Sequence, residues 1–144
     1  MNYKNYKKLT RLALIAICLV VATAHSDVVV VVPADSPVSA LSKKQVAKIF
    51  LGKSRRFPDG SRAVPVNQSE STALRNEFYF LVSGKSPAQV KAHWSKMIFT
   101  GRGQPPKEVG TDSAVKQQLA VSKSNIGYID RGAVDASVKI LAIQ

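Results

Sequence analysis

The sequence predicts an α/β domain in which a mixed central sheet is flanked by about four helices. Runs rich in apolar residues, with valine or isoleucine in each, recur at residues 28–32, 63–66, 125–129 and 138–143, as is typical of strands. The segments between them carry apolar residues at helical spacing. Strands that alternate with helices along a chain favour an α/β architecture.

The first 24 residues predict a signal peptide, which leaves residues 25–144 as one domain. The chain begins with a basic, acid-free stretch, continues in an apolar run at residues 12–21, and then presents Ala22-Thr23-Ala24. This order is typical of a secretory signal, so we expect cleavage after Ala24 and a periplasmic location. An uncleaved membrane anchor is the alternative. The single cysteine, Cys18, lies inside the apolar run, so no disulfide is expected in the mature domain.

The charge balance favours an anionic partner. The whole chain has a formal net charge of +12, and without the four basic residues of the predicted signal 17 basic residues face nine acids, a net charge of +8. Such an excess suits inorganic oxyanions, lipid headgroups, polyanions or acidic proteins. We expect no nucleic acid as partner, because the domain is predicted to be secreted and the basic residues 53–62 include one aromatic side chain, Phe57.

The first helix has the clearest local signals. Ser42 is placed to cap it, and Gln45 three residues later completes a capping box. Val46, Ile49 and Phe50 form its predicted buried stripe, and Gly52 ends it.

Two further helices have predicted N-caps. Ser86-Pro87 predicts an N-cap followed by a first-turn proline. The apolar stripe of that helix is predicted to be Val90, Trp94, Met97 and Ile98, with His93 at the surface. Thr111 or Asp112 caps the last helix, whose predicted apolar residues are Val115 and Leu119, with Val121 as a further candidate. The glycine- and proline-rich residues 101–110 between these helices are predicted to be a loop.

The candidate ligand site is the polar segment 67–72, which lies between a strand and a helix carrying Leu74, Phe78 and Leu81 on one face. Free N–H groups and the dipole of a first helical turn attract oxyanions, and the hydroxyls of Ser71 and Thr72 can donate to them. The simpler interpretation is that Ser69 or Ser71 only caps the helix.

Catalysis is not expected. The predicted mature domain has only two histidines, His25 and His93, and it lacks a metal-ligand cluster, a P-loop and a dinucleotide-binding fingerprint. The sequence therefore predicts a protein that is not an enzyme and that uses neither a cofactor nor a metal.

Several motifs resemble the phosphate-binding subunit of phosphate ABC transporters, a type 2 periplasmic binding protein. They are LSKKQVAKIFLGKSRRFPDGSRAVPVNQSEST at residues 41–72, the following ALRNEF, and Ile126-Gly127-Tyr128. The family characteristically shows an Ile-Phe-Leu-Gly helix, a Trp-x-Asp-Gly turn, and an Arg-x-x-x-Ser-Gly-Thr loop that opens a helix. The resemblance covers Val28 to Tyr128 in order.

The resemblance implies a solute-binding module for phosphate or a related oxyanion, linked to an ABC transporter or a membrane sensor. Ser69, Ser71 and Thr72 are then the expected ligand contacts. Arg75, one turn into the helix, is the expected positive charge in place of the missing arginine, and Arg55 or Arg56 is the alternative. Two departures weaken the motif: its glycine is missing, and Asn67 or Gln68 stands at the arginine position. The turn also has Phe57 in place of tryptophan.

Length is the other departure, because family members are about twice as long and hold phosphate between two lobes. This chain resembles a single lobe, so we expect a homodimer or another protein to supply the second wall. The alternative is a periplasmic interaction module that keeps the fold, has lost its ligand, and works through its basic face or an exposed sheet edge.

Overall fold

The computed structural model describes residues 27–144, so the predicted signal peptide and its cleavage site lie outside the described residues. Seven strands, four α-helices and one short 3₁₀-helix make up this part of the chain. The strands are β1 Val28–Pro33, β2 Ala40–Leu41, β3 Val64–Gln68, β4 Lys107–Val109, β5 Asn125–Asp130, β6 Val138–Ile140 and β7 Ala142–Ile143. The α-helices are α1 Lys43–Phe50, α2 Ala73–Ser83, α3 Pro87–Phe99 and α4 Asp112–Leu119, and the 3₁₀-helix is Arg131–Ala133.

Five strands form one mixed sheet in the order β4-β3-β5-β1-β6, and β2 pairs with β7 in a separate two-stranded sheet. Strands β4, β3 and β5 are parallel to one another, whereas β1 runs antiparallel to both β5 and β6. The predicted α/β fold with a mixed sheet and four flanking helices is confirmed. The strand predicted at residues 138–143 is divided at Leu141, because its first part pairs with β1 and its second with β2.

The main sheet has a hydrophobic core on each face, as the run of valines in β1 predicts. Val30 and Val32 pack in the larger core with the apolar faces of α1, α2 and α3. Val29 and Val31 pack in the smaller core, together with α4. Alternate side chains of one strand therefore bind the helical layers to opposite faces of the sheet.

The predicted caps of α1 and α3 are both present as capping boxes. Ser42 Oγ accepts from the backbone N–H of Gln45 at 3.2 Å, and the Gln45 side chain accepts from Ser42 N at 2.8 Å. Ser86 and Gln89 make the same reciprocal pair, with Pro87 as the first helical residue.

Three predictions about exposure were wrong. Leu81 is 43% exposed and Ile98 is 48% exposed, although both were placed on buried stripes. The inward face of α2 is turned toward Tyr79 and Val82, and on α3 only Val90 and Trp94 are fully buried. His93 is half-buried, with Nε2 at 2.8 Å from the carbonyl oxygen of Leu51, because the last carbonyls of α1 need partners outside that helix.

The predicted loop at residues 101–110 contains the edge strand β4, which pairs with β3 from Lys107 to Val109. Sheet pairing here overrides the local glycine and proline content, because both prolines, Pro105 and Pro106, precede the strand. In residues 27–144, no helix is long and apolar enough to cross a membrane.

Candidate functional site

The segment at residues 69–72, which we call the serine loop, lies where two helices begin. Strands β3, β4 and β5 are parallel, so their carboxyl ends meet at one edge of the sheet. The chain leaves β3 into α2 and leaves β4 into α4, which brings both helix N-termini to this edge. Ser69 N donates to the carbonyl oxygen of Val109 at 3.2 Å and so ties the two connecting loops together. Such edges of α/β sheets are common ligand-binding places.

Thr72 is the N-cap of α2, so the expectation that Ser69 or Ser71 caps this helix was wrong. Its Oγ1 accepts from Arg75 N at 3.4 Å and donates to the carbonyl oxygen of Ser69 at 2.9 Å. Thr72 takes this role because it directly precedes the first helical residue and has an extended backbone. The N–H groups of Ala73 and Leu74, in the first turn, have no acceptor within the helix.

The hydroxyls of Ser69 and Ser71 lie beside this helix terminus. Their oxygens are 3.1 Å apart, and within residues 27–144 each is the other's only hydrogen-bonding partner. Ser71 is exposed and Ser69 is half-buried. Both hydroxyls can therefore turn to an external anion without breaking a bond that holds the fold.

Arg75, the residue expected to supply charge, points away from solvent and is paired. Only 5% of the residue is exposed, and its guanidinium forms an ion pair with Glu108 of β4. It also donates to the carbonyl oxygen of Gln68 at 3.2 Å and lies 5.8 Å from the centre of the Tyr79 ring. The structure thus places Arg75 directly behind the serine loop, but with its charge balanced by a carboxylate.

Asn67 and Gln68 belong to a buried hydrogen-bond network. One of them stands where the Arg-x-x-x-Ser-Gly-Thr motif of the phosphate-binding subunits has its arginine. Asn67 Nδ2 donates to the Tyr79 hydroxyl at 3.2 Å, and the Tyr128 hydroxyl donates to Asn67 Oδ1. The backbone N–H of Gln68 lies 3.1 Å from the Tyr128 hydroxyl. Burial raises the pKa of Tyr79 to about 12, opposed in part by the charge of Arg75, and burial also raises the pKa of Tyr128. Both phenols are therefore neutral, and this network sits beneath the loop.

The N-terminus of α4 already holds a carboxylate of the chain itself. Asp112 lies in its first turn, where it accepts from Gln68 Nε2 at 2.6 Å and from Asp130 N at 3.4 Å. A carboxylate here balances the helix dipole and satisfies these donors. Of the two helix N-termini at this edge, α2 is the one that can accept an external anion.

A cleft of about 200 Å³ between α2 and α3 adjoins the serine loop. Its walls include Glu70, Arg75, Asn76 and Tyr79, with Lys91 across from them on α3. Sequence reasoning missed Lys91, because only the packing of α3 against α2 brings it near the loop. Within residues 27–144, no three histidine, cysteine or acidic side chains lie close enough together to hold a metal ion.

Solved structures with the same fold are substrate-binding proteins for phosphate. An ABC-type phosphate transport receptor from Vibrio cholerae superposes with a TM-score of 0.64 and 21% identity, covering 81% of this chain and 46% of the receptor. The chain has the fold of these phosphate receptors. A structure from Clostridium perfringens, assigned as a phosphate ABC transporter substrate-binding protein and containing bound phosphate, gives a TM-score of 0.63 at 20% identity over 81% of this chain and 44% of its own.

The PstS protein of Borrelia burgdorferi shares the phosphate-receptor fold at a TM-score of 0.62 and 14% identity, covering 82% of this chain and 47% of its own. This chain therefore spans less than half the length of each of these three receptors. No protein-family model and no curated protein matches the chain.

Proposed function

We propose that this protein is a periplasmic, phosphate-receptor-like module that binds phosphate or a related oxyanion at the N-terminus of α2. The observation that carries the proposal is the uncompensated first turn of α2, flanked by the hydroxyls of Ser69 and Ser71, in a fold shared with phosphate receptors. The activity is binding alone, with no bond made or broken.

The four predicted contacts have different roles in this proposal. Ser69 and Ser71 donate hydrogen bonds from their hydroxyls. Thr72 orders the first turn, so that the N–H groups of Ala73 and Leu74 face the ligand. Arg75 contributes through its charge from below the loop, and Glu108 weakens that contribution.

A second protein surface completes the site in this proposal. The loop is on the outside of the domain, where water competes for every donor, and the chain covers less than half of the phosphate receptors that share its fold. A second copy of the chain, or the transporter or membrane sensor to which it delivers phosphate, supplies the opposite wall. Affinity of the isolated chain is therefore expected to be weak.

The test is calorimetric titration with phosphate and with sulfate at low salt. We expect saturable phosphate binding that is lost in a Ser69→Ala/Ser71→Ala variant, because both side-chain donors disappear while the Thr72 cap remains. Ser95→Ala, an exposed serine in α3, is the matched control and should bind as the parent does. Thr72→Ser, which keeps a capping hydroxyl, should also bind.

A lack of heat and of thermal stabilisation at millimolar phosphate would refute oxyanion binding. The second candidate function would then stand: an interaction module that keeps the fold without the ligand. One observation favours it. Glu108 already neutralises Arg75, and Asp112 already occupies the N-terminus of α4. The arginine charge and this helix terminus therefore have acidic partners within the chain and do not need an external anion.

A further inference from the structure

A groove of about 400 Å³ lies at the amino-terminal ends of β3 and β4, whereas the serine loop lies at the carboxyl end of β3. One wall is the turn at residues 53–62, and the other is the segment at residues 103–107 that leads into β4. Between them the first residues of β3, Val64 and Pro65, line the groove, whereas the serine loop follows the last residue of that strand. The groove is thus separate from the candidate oxyanion site.

The groove has an apolar floor and a basic rim. Ile49, Ala63 and Trp94 form the floor, each at most 5% exposed, and Pro65, Pro105 and Pro106 extend its apolar lining. Arg55, Arg62 and Lys107 are the charged residues that line it, and all three are exposed. The ammonium group of Lys107 already donates to Gln118 Oε1 at 2.9 Å, so among the residues that the structure describes the two arginines are the free cations of the rim. A volume of this size falls within the range of about 300–1,000 Å³ that is usual for pockets that enclose organic groups.

The two arginines are held in place but are not neutralised. Phe57, 3% exposed, anchors their turn in the larger core, and Ala63 N donates to the carbonyl oxygen of Arg55 at 2.9 Å. Arg56 and Arg62 face each other in an antiparallel bridge. Within residues 27–144, the guanidinium groups of Arg55 and Arg62 have neither a hydrogen-bonding partner nor an ion pair.

The acid in this turn does not balance the arginines. The carboxylate of Asp59 accepts from the backbone N–H of Ser61 at 2.8 Å and from its hydroxyl at 2.6 Å. These hydrogen bonds, the side-chain one first, hold the pKa of Asp59 below its usual value, although the group is fully exposed. The positive charge of the two arginines is therefore not balanced by an ion pair within the turn. Because the backbone of the turn is already fixed, binding orders less of the chain and loses less conformational entropy.

We propose that this groove binds an acidic, extended peptide segment of a protein partner, in which carboxylates alternate with apolar side chains. Carboxylates along such a segment match Arg55 and Arg62, while the alternate side chains fill the floor over Trp94. A free phosphate or a polyphosphate would satisfy the cations and leave the apolar floor uncovered. Arginine also suits this role because its planar fork pairs with a carboxylate in two parallel hydrogen bonds.

Trp94 provides a direct readout because it is the only tryptophan in the chain and lies on the groove floor. The probe is a short peptide of alternating glutamate and leucine, and the matched peptide carries glutamine in place of glutamate. We expect the acidic peptide to cause a saturable change in Trp94 fluorescence. Arg55→Glu/Arg62→Glu should weaken its binding by about tenfold or more, because like charges then face each other.

The matched control is Lys43→Glu/Lys44→Glu, which makes the same change in net charge on exposed lysines at the far end of α1. Equal weakening by both double variants would overturn the proposal, since long-range charge alone would then explain binding. Equal binding of the glutamine peptide would overturn it too. Circular dichroism checks that both variants are folded.

Polyphosphate and phosphatidylglycerol vesicles are the competing probes in the same assay. If either binds at the groove more tightly than the acidic peptide, the partner is a polyanion or a membrane surface and the peptide proposal fails. Phosphate titration of Arg55→Glu/Arg62→Glu distinguishes failure of the groove proposal from failure of the oxyanion proposal. That variant should leave the phosphate response of the serine loop intact whether or not the groove binds a peptide.

Discussion

At the scale of single residues, the pairing of Arg75 with Glu108 sets the strength of the candidate oxyanion site. An arginine that is only 5% exposed needs a counter-charge, and Glu108 on the neighbouring strand supplies it. The positive charge of Arg75, which was expected to attract a ligand, is therefore balanced within the fold. The donors that remain for an oxyanion in the proposed site are the N–H groups of the first turn of α2 and the hydroxyls of Ser69 and Ser71.

Glu108→Gln is therefore expected to raise phosphate affinity several-fold, because the charge of Arg75 is no longer balanced. The same change should lower the free energy of unfolding by about 1–2 kcal/mol, since a charged hydrogen bond is weakened whose Glu108 side is 44% exposed and screened by solvent. Calorimetric titration and urea denaturation measure the two effects. Asp35→Asn, which removes an exposed carboxylate paired with Lys123, should raise affinity little and serves as the control. Loss of stability without any gain in affinity would show that Arg75 does not act on the ligand.

At the scale of secondary-structure elements, α4 packs closely across β5 at Gly127. A Cβ atom placed on Gly127 would lie 2.7 Å from Val115 Cγ1 and within 3.8 Å of both methyl groups of Leu119. Val115 and Leu119 are fully buried, so they have little room to move. This close approach explains a glycine in the Ile-Gly-Tyr motif, and it helps position Asp112 at the start of the same helix.

Gly127→Ala should lower the free energy of unfolding by about 1–3 kcal/mol, the usual range for overpacking a tight core. Gly110→Ala is the matched control, because a Cβ there meets no atom within 4 Å and its backbone does not have a positive φ. Urea denaturation of both variants tests the prediction. Equal stability of the two would mean that α4 shifts away from β5 without cost.

At the scale of the whole molecule, a polar network crosses the domain between the sheet and α2. Tyr79 on α2 and Tyr128 on β5 both bond to Asn67, and the rings of Phe78 and Tyr128 stack at 3.9 Å between centroids. This network joins the serine loop to the larger core. A change of ionisation in either tyrosine therefore affects the global stability of the domain.

Stability should be independent of tyrosine ionisation below about pH 10 and should fall as the pH rises above it. The pKa of Tyr79 is raised to about 12 in the folded protein, so the unfolded chain releases this proton first and deprotonation favours unfolding. Urea midpoints and tyrosinate absorbance across this range measure the effect. Tyr79→Phe removes one titrating hydroxyl and should make the decline shallower. Tyrosinate from Tyr79 or Tyr128 forming near pH 10 in a protein that remains folded would contradict the prediction.

Much of the fold was predictable because its signals are local. The capping box at Ser42 and the N-cap at Ser86 each depend on a hydrogen bond between residues three apart, so the sequence alone predicts them. The unbroken run of valines in β1 is also a local signal, and it predicted a strand that is buried on both faces. The resemblance to phosphate-binding subunits then predicted the fold that the structural comparisons confirm.

Local sequence determined where α1 and α3 begin and placed a candidate anion site at the serine loop, whereas only the tertiary structure decided which charges remain available there. Glu108 reaches Arg75 across 33 residues of chain, and Asp112 reaches Gln68 across 44. Such pairs exist because β3 lies between β4 and β5, an order that no local pattern encodes. Arg55 and Arg62 likewise line one groove with Trp94, which is more than 30 residues away in sequence, because tertiary packing brings the turn and α3 together.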